Sequence, residues 1–411
     1  MSCEGLFMNK RNSTAVILTL GLLSATSSLS IDMYLPGFPA IAADLDTDIP
    51  SVALSLTSYF IGISAGQLFF GPIIDRYGRK GPLMLGVIMY FLSSLGCSLV
   101  TSVEGLIALR FFQALGGCAG MVINRAMVRD LFAPHETARI FSILMLIMGV
   151  SPIVAPTFGG YISAGFGWRY IFVTLTIIAA IQLVLSWKVL PESRGADKSA
   201  SLYPREVITR FLLVLKQPAF YTYALTSGFG SAGMFAYIAG SPFVFMNLFG
   251  VSETQYGWIF GANAFGLILC SQVNRLLLRR YSSKKIILPA VALQFSCGIL
   301  LFLGTLSGVL SPLGTNSLIF LYLTMQGFVT PNATSLFLEP FERNTGIASA
   351  LSGSMLMVFA GLSSAAVSHL HNGTALPMTI VMAACISISF FSLVFGRVIV
   401  SRYKAENVSH L

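Results

Sequence analysis

The chain has 411 residues, 55% of them hydrophobic and only 10% charged, with a mean hydropathy of +0.79 and a formal net charge of +9. Soluble domains carry about a quarter charged residues, so this composition excludes an ordinary soluble enzyme and describes a polytopic, all-α membrane protein. The basic excess does not point to nucleic acid, because it falls in short clusters between apolar runs, where topology determinants sit. The six cysteines (Cys3, Cys97, Cys118, Cys270, Cys297, Cys385) are scattered, five of them inside apolar runs. They have neither metal-site nor disulfide spacing. His369 and His371 form an H-x-H with no third ligand nearby. No metal and no cofactor are expected.

Runs long enough to cross a bilayer as helices occur twelve times: about 14–36, 51–72, 81–100, 104–124, 138–163, 168–190, 218–245, 254–277, 285–308, 313–335, 345–370 and 375–399. Lys10 and Arg11 before the first run give it the look of a signal peptide. Its length and the many spans that follow argue for an uncleaved first helix. The longest polar interruption, 191–217, divides six spans (1–190) from six (218–411). Twelve spans put both termini on one side. With that side inside, every basic residue except Arg110 and Arg169 falls in an inner loop or at an inner helix end. The positive-inside rule therefore predicts cytoplasmic termini.

Within the first run stands Asp32. A carboxylate at membrane depth costs about 2.5–3.5 kcal/mol on insertion scales, so it must face a bundle interior or a watery cavity. Burial disfavours its charged form, which makes Asp32 a natural proton carrier. The alternative is an acid that snorkels or pairs near a helix end. After the second run comes GPIIDRYGRK, with Gly71, Asp75, Arg76, Gly78, Arg79 and Lys80. Gly71 is expected to let helices approach, Gly78 to permit a tight turn, and Asp75 to pair with a cation. RRYSSK at 279–284 echoes DRYGRK, and at the same offset Gly62 aligns with Gly266.

The fourth run holds Arg110 in R-x-x-Q-x-x-G, with Gln113 and Gly116. Its guanidinium cannot shed its proton, so it needs a carboxylate, carbonyls or water; an influence on Asp32, directly or through water, is expected. The fifth run reads SPIVAPTFGG, with Pro152, Pro156, Gly159 and Gly160. Two prolines four apart remove hydrogen bonds and bend a helix, and paired glycines let a neighbour come close. Polar or aromatic residues at mid-membrane depth mark a candidate substrate cavity: Tyr34, Tyr59, Gln113, Asn124, Tyr237, Asn263 and Gln326. Each is equally suited to helix packing. Aromatic rings with a polar tip suit an adaptable pocket.

A six-plus-six repeat with a long central loop resembles the major facilitator superfamily, whose halves rock about a midplane site. The Gly71–Lys80 segment resembles that superfamily's loop signature, which latches one conformation. The fourth-run motif resembles one whose Arg takes part in proton coupling. The fifth-run motif resembles the antiporter signature of drug exporters, with Ala155 in place of its first glycine. IDMYLPGFPAI, RAMVRDLF, GWRYIF, SPFVF, PNATSLFLEPF and GIASALSGS resemble the bicyclomycin and chloramphenicol resistance exporters, the Bcr/CflA group. This resemblance implies a monomeric proton-coupled antiporter of a bacterial inner membrane that exports small amphiphilic drugs or toxic compounds. Asp32 and Arg110 would be its proton-coupling pair and the Gly71–Lys80 cluster its latch. A dedicated exporter of one metabolite (siderophore, peptide or sugar) is the alternative. An importer is disfavoured by the fifth-run motif, and a membrane sensor or enzyme by the lack of a soluble domain or a nucleophile–base pair.

Overall fold

The computed structural model describes residues 10–193, 195, 212–341 and 345–408. Most of the central segment 191–217 therefore lies outside the described residues. Twelve long helices run through the described residues: α1 (Lys10–Asp32), α2 (Ile49–Tyr77), α3 (Lys80–Leu99), α4 (Val103–Leu131), α5 (Pro134–Phe166), α6 (Arg169–Val189), α7 (Pro218–Pro242), α8 (Glu253–Leu277), α9 (Ser283–Leu306), α10 (Pro312–Leu338), α11 (Thr345–His369) and α12 (Leu376–Val408). A 3₁₀ turn, Leu35–Gly37, and a short helix, Phe38–Asp44, follow α1, and a π-helical segment, Phe243–Leu248, continues α7.

Ten of these segments are long and apolar enough to cross a membrane; α8 and α10 are the two helices outside that group. They carry the polar side chains Asn263, Asn274, Asn316, Gln326 and Asn332, and α10 packs against α7, α8 and α9. Large apolar side chains stand exposed along α3 at Leu85, Leu92 and Leu99. In water that stripe would be a liability; in hydrocarbon it needs no cover.

The chain divides into two compact units, residues 1–47 with 58–202, and residues 48–57 with 203–411. Their internal packing follows one plan. In the first, α1 packs on α4, α5 and α6, and α3 on α4 and α6. In the second, α7 packs on α10, α11 and α12, and α9 on α10 and α12. Each pairing recurs six helices later, as expected for a parallel repeat.

Local chemistry sets the helix ends. Pro36 has no N–H for the carbonyl of Asp32, and α1 stops there although its apolar run continues. The Ser51 N–H donates to Asp48 Oδ1 at 2.9 Å, and hydrogen bonding from Ser51 holds the Asp48 carboxyl below the usual carboxylate range. Ser252 and Gln255 form a capping box at the start of α8. At the start of α6, Arg169 pairs with Asp44, donates to the Val100 carbonyl at 3.0 Å and lies 4.4 Å from the Trp168 ring centroid. That one side chain ties three connections of the first unit together.

Candidate functional site

Asp32 sits at a break in a membrane span. The span Thr14–Asp44 is continuous in hydropathy but not in helix, because the 3₁₀ turn interrupts it just beyond Asp32. Such interruptions at membrane depth survive where they are buried in protein or line a cavity. Asp32 is 5% exposed and is the one buried carboxylate among the described residues. Ser28, one turn back on the same face of α1, donates to its Oδ2 at 2.7 Å. No ion pair among the described residues includes Asp32.

The fifth-helix motif meets this break. α5 stays helical through Pro152 and Pro156. A Cβ on Gly159 would overlap the Met33 carbonyl oxygen, and backbone cannot move aside easily. Gly159 therefore lets α5 press against the peptide that follows Asp32. Gly160 is buried beside it. The sequence offered a glycine pair but no sign of which segment it would touch.

Arg110 is fully buried on α4. Its Nη1 donates to Gln113 Oε1 at 2.6 Å, and its guanidinium carbon lies 4.2 Å from the Tyr59 ring centroid and 4.7 Å from that of Tyr34. Phe172 of α6 closes the box at 6.0 Å. Desolvated cation–π contacts are worth up to about 2 kcal/mol each, which is how a cation without a carboxylate is tolerated here. Its Nε and Nη2 make no hydrogen bond among the described residues. Four expected site residues, Arg110, Gln113, Tyr34 and Tyr59, thus come together.

The direct Asp32–Arg110 pair is not made. Asp32 bonds along its own helix to Ser28, while Arg110 bonds Gln113. A different route joins Arg110 to α1. Gln113 Nε2 donates to Ser94 Oγ at 2.8 Å, Ser94 Oγ to the Tyr90 carbonyl at 2.7 Å, and the Tyr90 hydroxyl meets Ser30 Oγ at 2.7 Å. Ser30 and Asp32, two residues apart, point to roughly opposite sides of α1. Arg110 therefore addresses the helix from the side away from the carboxylate. Ser30, Tyr90 and Ser94 were not singled out by sequence; hydroxyls inside apolar runs carry no pattern of their own.

The remaining cavity candidates separate. Asn124 Nδ2 donates to the Leu20 carbonyl at 2.8 Å and bonds Ser24 Oγ, toward the start of α1. In the second unit, Asn263 Nδ2 donates to the Tyr237 hydroxyl at 3.0 Å and to Asn316 Oδ1 at 3.1 Å. Gln326 belongs to another network: its Nε2 donates to Ser231 Oγ at 2.7 Å and Thr330 Oγ1 at 2.9 Å, and its Oε1 accepts from Gln294 at 3.0 Å.

In the loop between α2 and α3, Gly78 has φ +85°, the left-handed turn that its sequence position implied. Gly71 does not serve close packing, since a Cβ there would meet nothing within 4 Å. The close approaches of α2 are at Gly62 and Gly66, whose added Cβ atoms would lie 2.6 Å from the Phe111 carbonyl oxygen and 2.7 Å from Cys118 Cβ. The side chain of Asp75 lies outside the described residues. Arg76, in the last turn of α2, is partly exposed. Arg79, 4% exposed, donates from Nε to Asp130 Oδ2 at 3.1 Å. Glu192 accepts from the backbone N–H groups of Arg79 at 2.6 Å and Lys80 at 3.1 Å, and Lys80 Nζ reaches the Trp187 carbonyl at 2.8 Å. A carboxylate on the first N–H groups of α3 is stabilised by the helix dipole. Asp130 and Glu192 were missed as site residues. Asp130 lay in a noted string, RAMVRDLF, but nothing in its spacing tied it to Arg79.

The Major Facilitator Superfamily model matches residues 20–365. The chain is 32% identical over 390 residues to a protein of Haemophilus influenzae named bicyclomycin resistance protein homolog, covering 94% of this chain and 98% of the relative. It is 28% identical to a chloramphenicol resistance protein of Pseudomonas aeruginosa, covering 95% and 92%. Among solved structures, a bacterial homolog of the human lysosomal transporter Spinster superposes with a TM-score of 0.73 at 15% identity, over 95% of this chain and 97% of that one. A point mutant of the nucleoside transporter NupG does so with a TM-score of 0.71 at 16% identity, over 93% and 99%. A multi-pass chain with this fold and this family match belongs to the Major Facilitator Superfamily and is a transporter, not an enzyme.

Proposed function

We propose that the protein is a proton-coupled antiporter that exports small amphiphilic drugs or toxic compounds across a bacterial inner membrane by alternating access. Its halves would be α1–α6 and α7–α12, its termini cytoplasmic, and its working form a monomer. The observation that carries this reading is Asp32, a buried carboxylate with one hydroxyl partner and, among the described residues, no cation to neutralise it. Holding that group charged in an apolar bundle is costly, so a proton taken up or lost there changes the energy of whichever conformation encloses it. A proton shifts a two-state equilibrium only if the states differ in affinity for it, and a carboxylate at a helix break is placed to feel such a difference. The resistance proteins named among the relatives support drugs as cargo.

In the proposed cycle, Asp32 takes a proton from outside as cargo leaves and releases it to the cytoplasm before the next cargo binds. Gly159 transmits the position of α5 to the Met33 peptide beside the proton site, with Pro152, Pro156 and Gly160 shaping that helix. Arg110, held by Tyr34, Tyr59 and Gln113, keeps a fixed positive charge in the same unit. The Gly71–Lys80 segment, with Asp75, Arg76, Gly78, Arg79 and Lys80, acts as the latch. Tyr237, Asn263, Gln326 and Asn124 offer hydrogen bonds to cargo.

The test is proton release from detergent-purified protein on adding chloramphenicol or bicyclomycin, wild type beside Asp32→Asn. Release that disappears in the variant is expected. Release that survives it moves the proton elsewhere and sinks the assignment. No release from folded wild-type protein with either drug favours the dedicated exporter of one metabolite.

A further inference from the structure

Positive charge gathers where α8 ends and α9 begins. Arg275 lies in the last turn of α8, Arg279 and Arg280 in the connecting turn, and Lys284 and Lys285 in the first turn of α9. All of these side chains are exposed. The N–H groups of Arg279 and Arg280 bond the Leu276 and Leu277 carbonyls at 3.2 and 2.9 Å, so the chain winds on tightly past α8 and holds the three arginines close in space. Among the described residues the one ion pair here joins Lys284 to Glu339 at 3.7 Å, with both side chains exposed. Water screens such a pair, and the arginines have no carboxylate among the described residues. The echoed loop of the first unit satisfies its cations from within, Arg79 on Asp130 and Lys80 on the Trp187 carbonyl. The second loop has Arg279 at the position of Asp75, a base in place of an acid. Between 194 and 211 the chain carries Arg194, Lys198, Arg205 and Arg210 against Asp197 and Glu206, which adds to the positive charge.

Apolar surface adjoins these charges. Leu276, Leu278 and Tyr281 are exposed beside the arginines, and the apolar span of α9 begins at Ser283. The turn therefore stands where head groups meet hydrocarbon, and Tyr281 brings the amphipathic ring that suits that depth. A guanidinium fork takes phosphate oxygens in pairs, and an ammonium adds a point charge. Lysines in the first turn of a helix are opposed by its dipole, so Lys284 and Lys285 do not serve the stability of α9. We propose that the α8–α9 turn is a docking surface for anionic phospholipid. Arg275, Arg279 and Arg280 take the phosphate groups, Lys284 and Lys285 supply the surrounding field, and Tyr281 and Leu278 meet the first acyl carbons. An acidic segment of another protein would answer the charges but not the apolar rim. The inference rests on the membrane-spanning fold and is independent of what the protein carries.

The test titrates acyl-labelled phosphatidylglycerol and phosphatidylcholine into purified, delipidated full-length protein in neutral detergent, with binding read by fluorescence anisotropy. Phosphatidylglycerol is expected to bind at least about tenfold more tightly at low salt, a preference that shrinks as salt shortens the reach of the charges. Arg279→Gln with Arg280→Gln should weaken phosphatidylglycerol by at least about tenfold and leave phosphatidylcholine unchanged. Arg129→Gln with Arg139→Gln removes the same charge from exposed positions on other helices and should leave the preference intact. Arg279→Lys with Arg280→Lys keeps the charge and should retain binding within about fivefold of wild type. Equal binding of the two lipids, a preference that survives the Arg279/Arg280 glutamine variant, or an equal loss in the Arg129/Arg139 variant each overturns the proposal. Tighter binding of hexaglutamate than of phosphatidylglycerol also overturns it, because the surface would then be a dock for acidic protein.

Thermal melts guard against a variant that fails to fold. A lipid that binds the folded state raises its melting temperature, so phosphatidylglycerol should stabilise the wild type and not the Arg279/Arg280 glutamine variant, while the two melt alike in phosphatidylcholine. Drug-induced proton release is measured on the same preparations. Release without lipid preference sinks this inference alone, whereas lipid preference without release counts against the antiporter reading and leaves the docking surface standing.

Discussion

The two halves share a packing plan and differ in what they bury. The first holds the charges, Asp32 and Arg110, with Arg79 at its loop, beside the amides Gln113, Asn124 and Gln182; the second holds the amides Asn263, Asn274, Gln294, Gln326 and Asn332, and no buried charged side chain among the described residues. A buried charge is expensive but switchable by a proton or a ligand. A buried amide is cheaper, stays neutral, and offers donors and acceptors to whatever enters. The difference teaches that one packing plan has been filled with different buried chemistry in its two copies, and the proposed antiporter would use the charges of the first unit for energy coupling. Polar residues also explain why α8 and α10 are outside the group of strongly apolar helices.

The division is broken most severely at Arg110. Arg110→Leu removes the cation and orphans the Gln113 carbonyl, and we expect drug transport to fall by about 10²-fold, the scale of a misplaced binding group. Arg110→Lys should not restore it, since an ammonium cannot stack between Tyr34 and Tyr59 as a guanidinium does. The equivalent insult in the second unit, Gln326→Leu, strips partners from Gln294, Ser231 and Thr330. It should change which drugs are carried while leaving drug-induced proton release intact. Proton release lost with Gln326→Leu and kept with Arg110→Leu would reverse the assignment of tasks.

A pair of aligned glycines sharpens the same comparison at lower amplitude. An added Cβ at Gly62 would meet the Phe111 backbone oxygen at 2.6 Å, whereas at Gly266 it would meet the Phe320 ring at 2.6 Å and Thr324 Oγ1 at 2.8 Å. Side chains can turn aside and a helix backbone cannot. Thermal melts should show Gly62→Ala destabilising by about 1–3 kcal/mol and Gly266→Ala by less. Gly159→Ala belongs with the former, because its obstacle is the Met33 backbone.

How much of this the sequence revealed depended on range. Apolar runs located all twelve helices, but they mark the membrane rather than the helix. The runs 51–72, 104–124 and 375–399 became α2 (Ile49–Tyr77), α4 (Val103–Leu131) and α12 (Leu376–Val408), since backbone hydrogen bonding continues into polar flanks. The run 14–36 erred the other way, overriding the Pro36 break that shapes the Asp32 site. Individual polar residues in apolar runs were visible, and so were Tyr34, Tyr59 and Gln113 as candidates. Their assembly around Arg110 was not, because it joins α2, α4 and the turn that follows α1. Gly71 was read as a packing glycine from its motif alone, whereas glycine packs closely only where a neighbour happens to lie. Asp130 and Glu192 were hidden for the same reason: an acid among basic residues acquires a role only when folding brings a helix start beside it.

The smallest expected effect lies in the echoed loops. Arg79 and Asp130 pair at 3.1 Å with side chains 5% and 19% exposed, whereas Lys284 and Glu339 in the second unit stand 3.7 Å apart and are 48% and 50% exposed. Water screens the second pair and leaves it worth about 0–1 kcal/mol, as for surface ion pairs generally. The first pair is also constrained by geometry, because Asp130 accepts from Ser193 and Glu192 holds the Arg79 backbone. A double-mutant cycle on Arg79→Gln with Asp130→Asn should give a coupling energy of about 1–2 kcal/mol that persists at high salt. The cycle on Lys284→Gln with Glu339→Gln should give a smaller value that salt abolishes. Equal couplings would mean that the repeat kept its loop pair in both halves. The asymmetry between the units would then be confined to the charges buried at membrane depth.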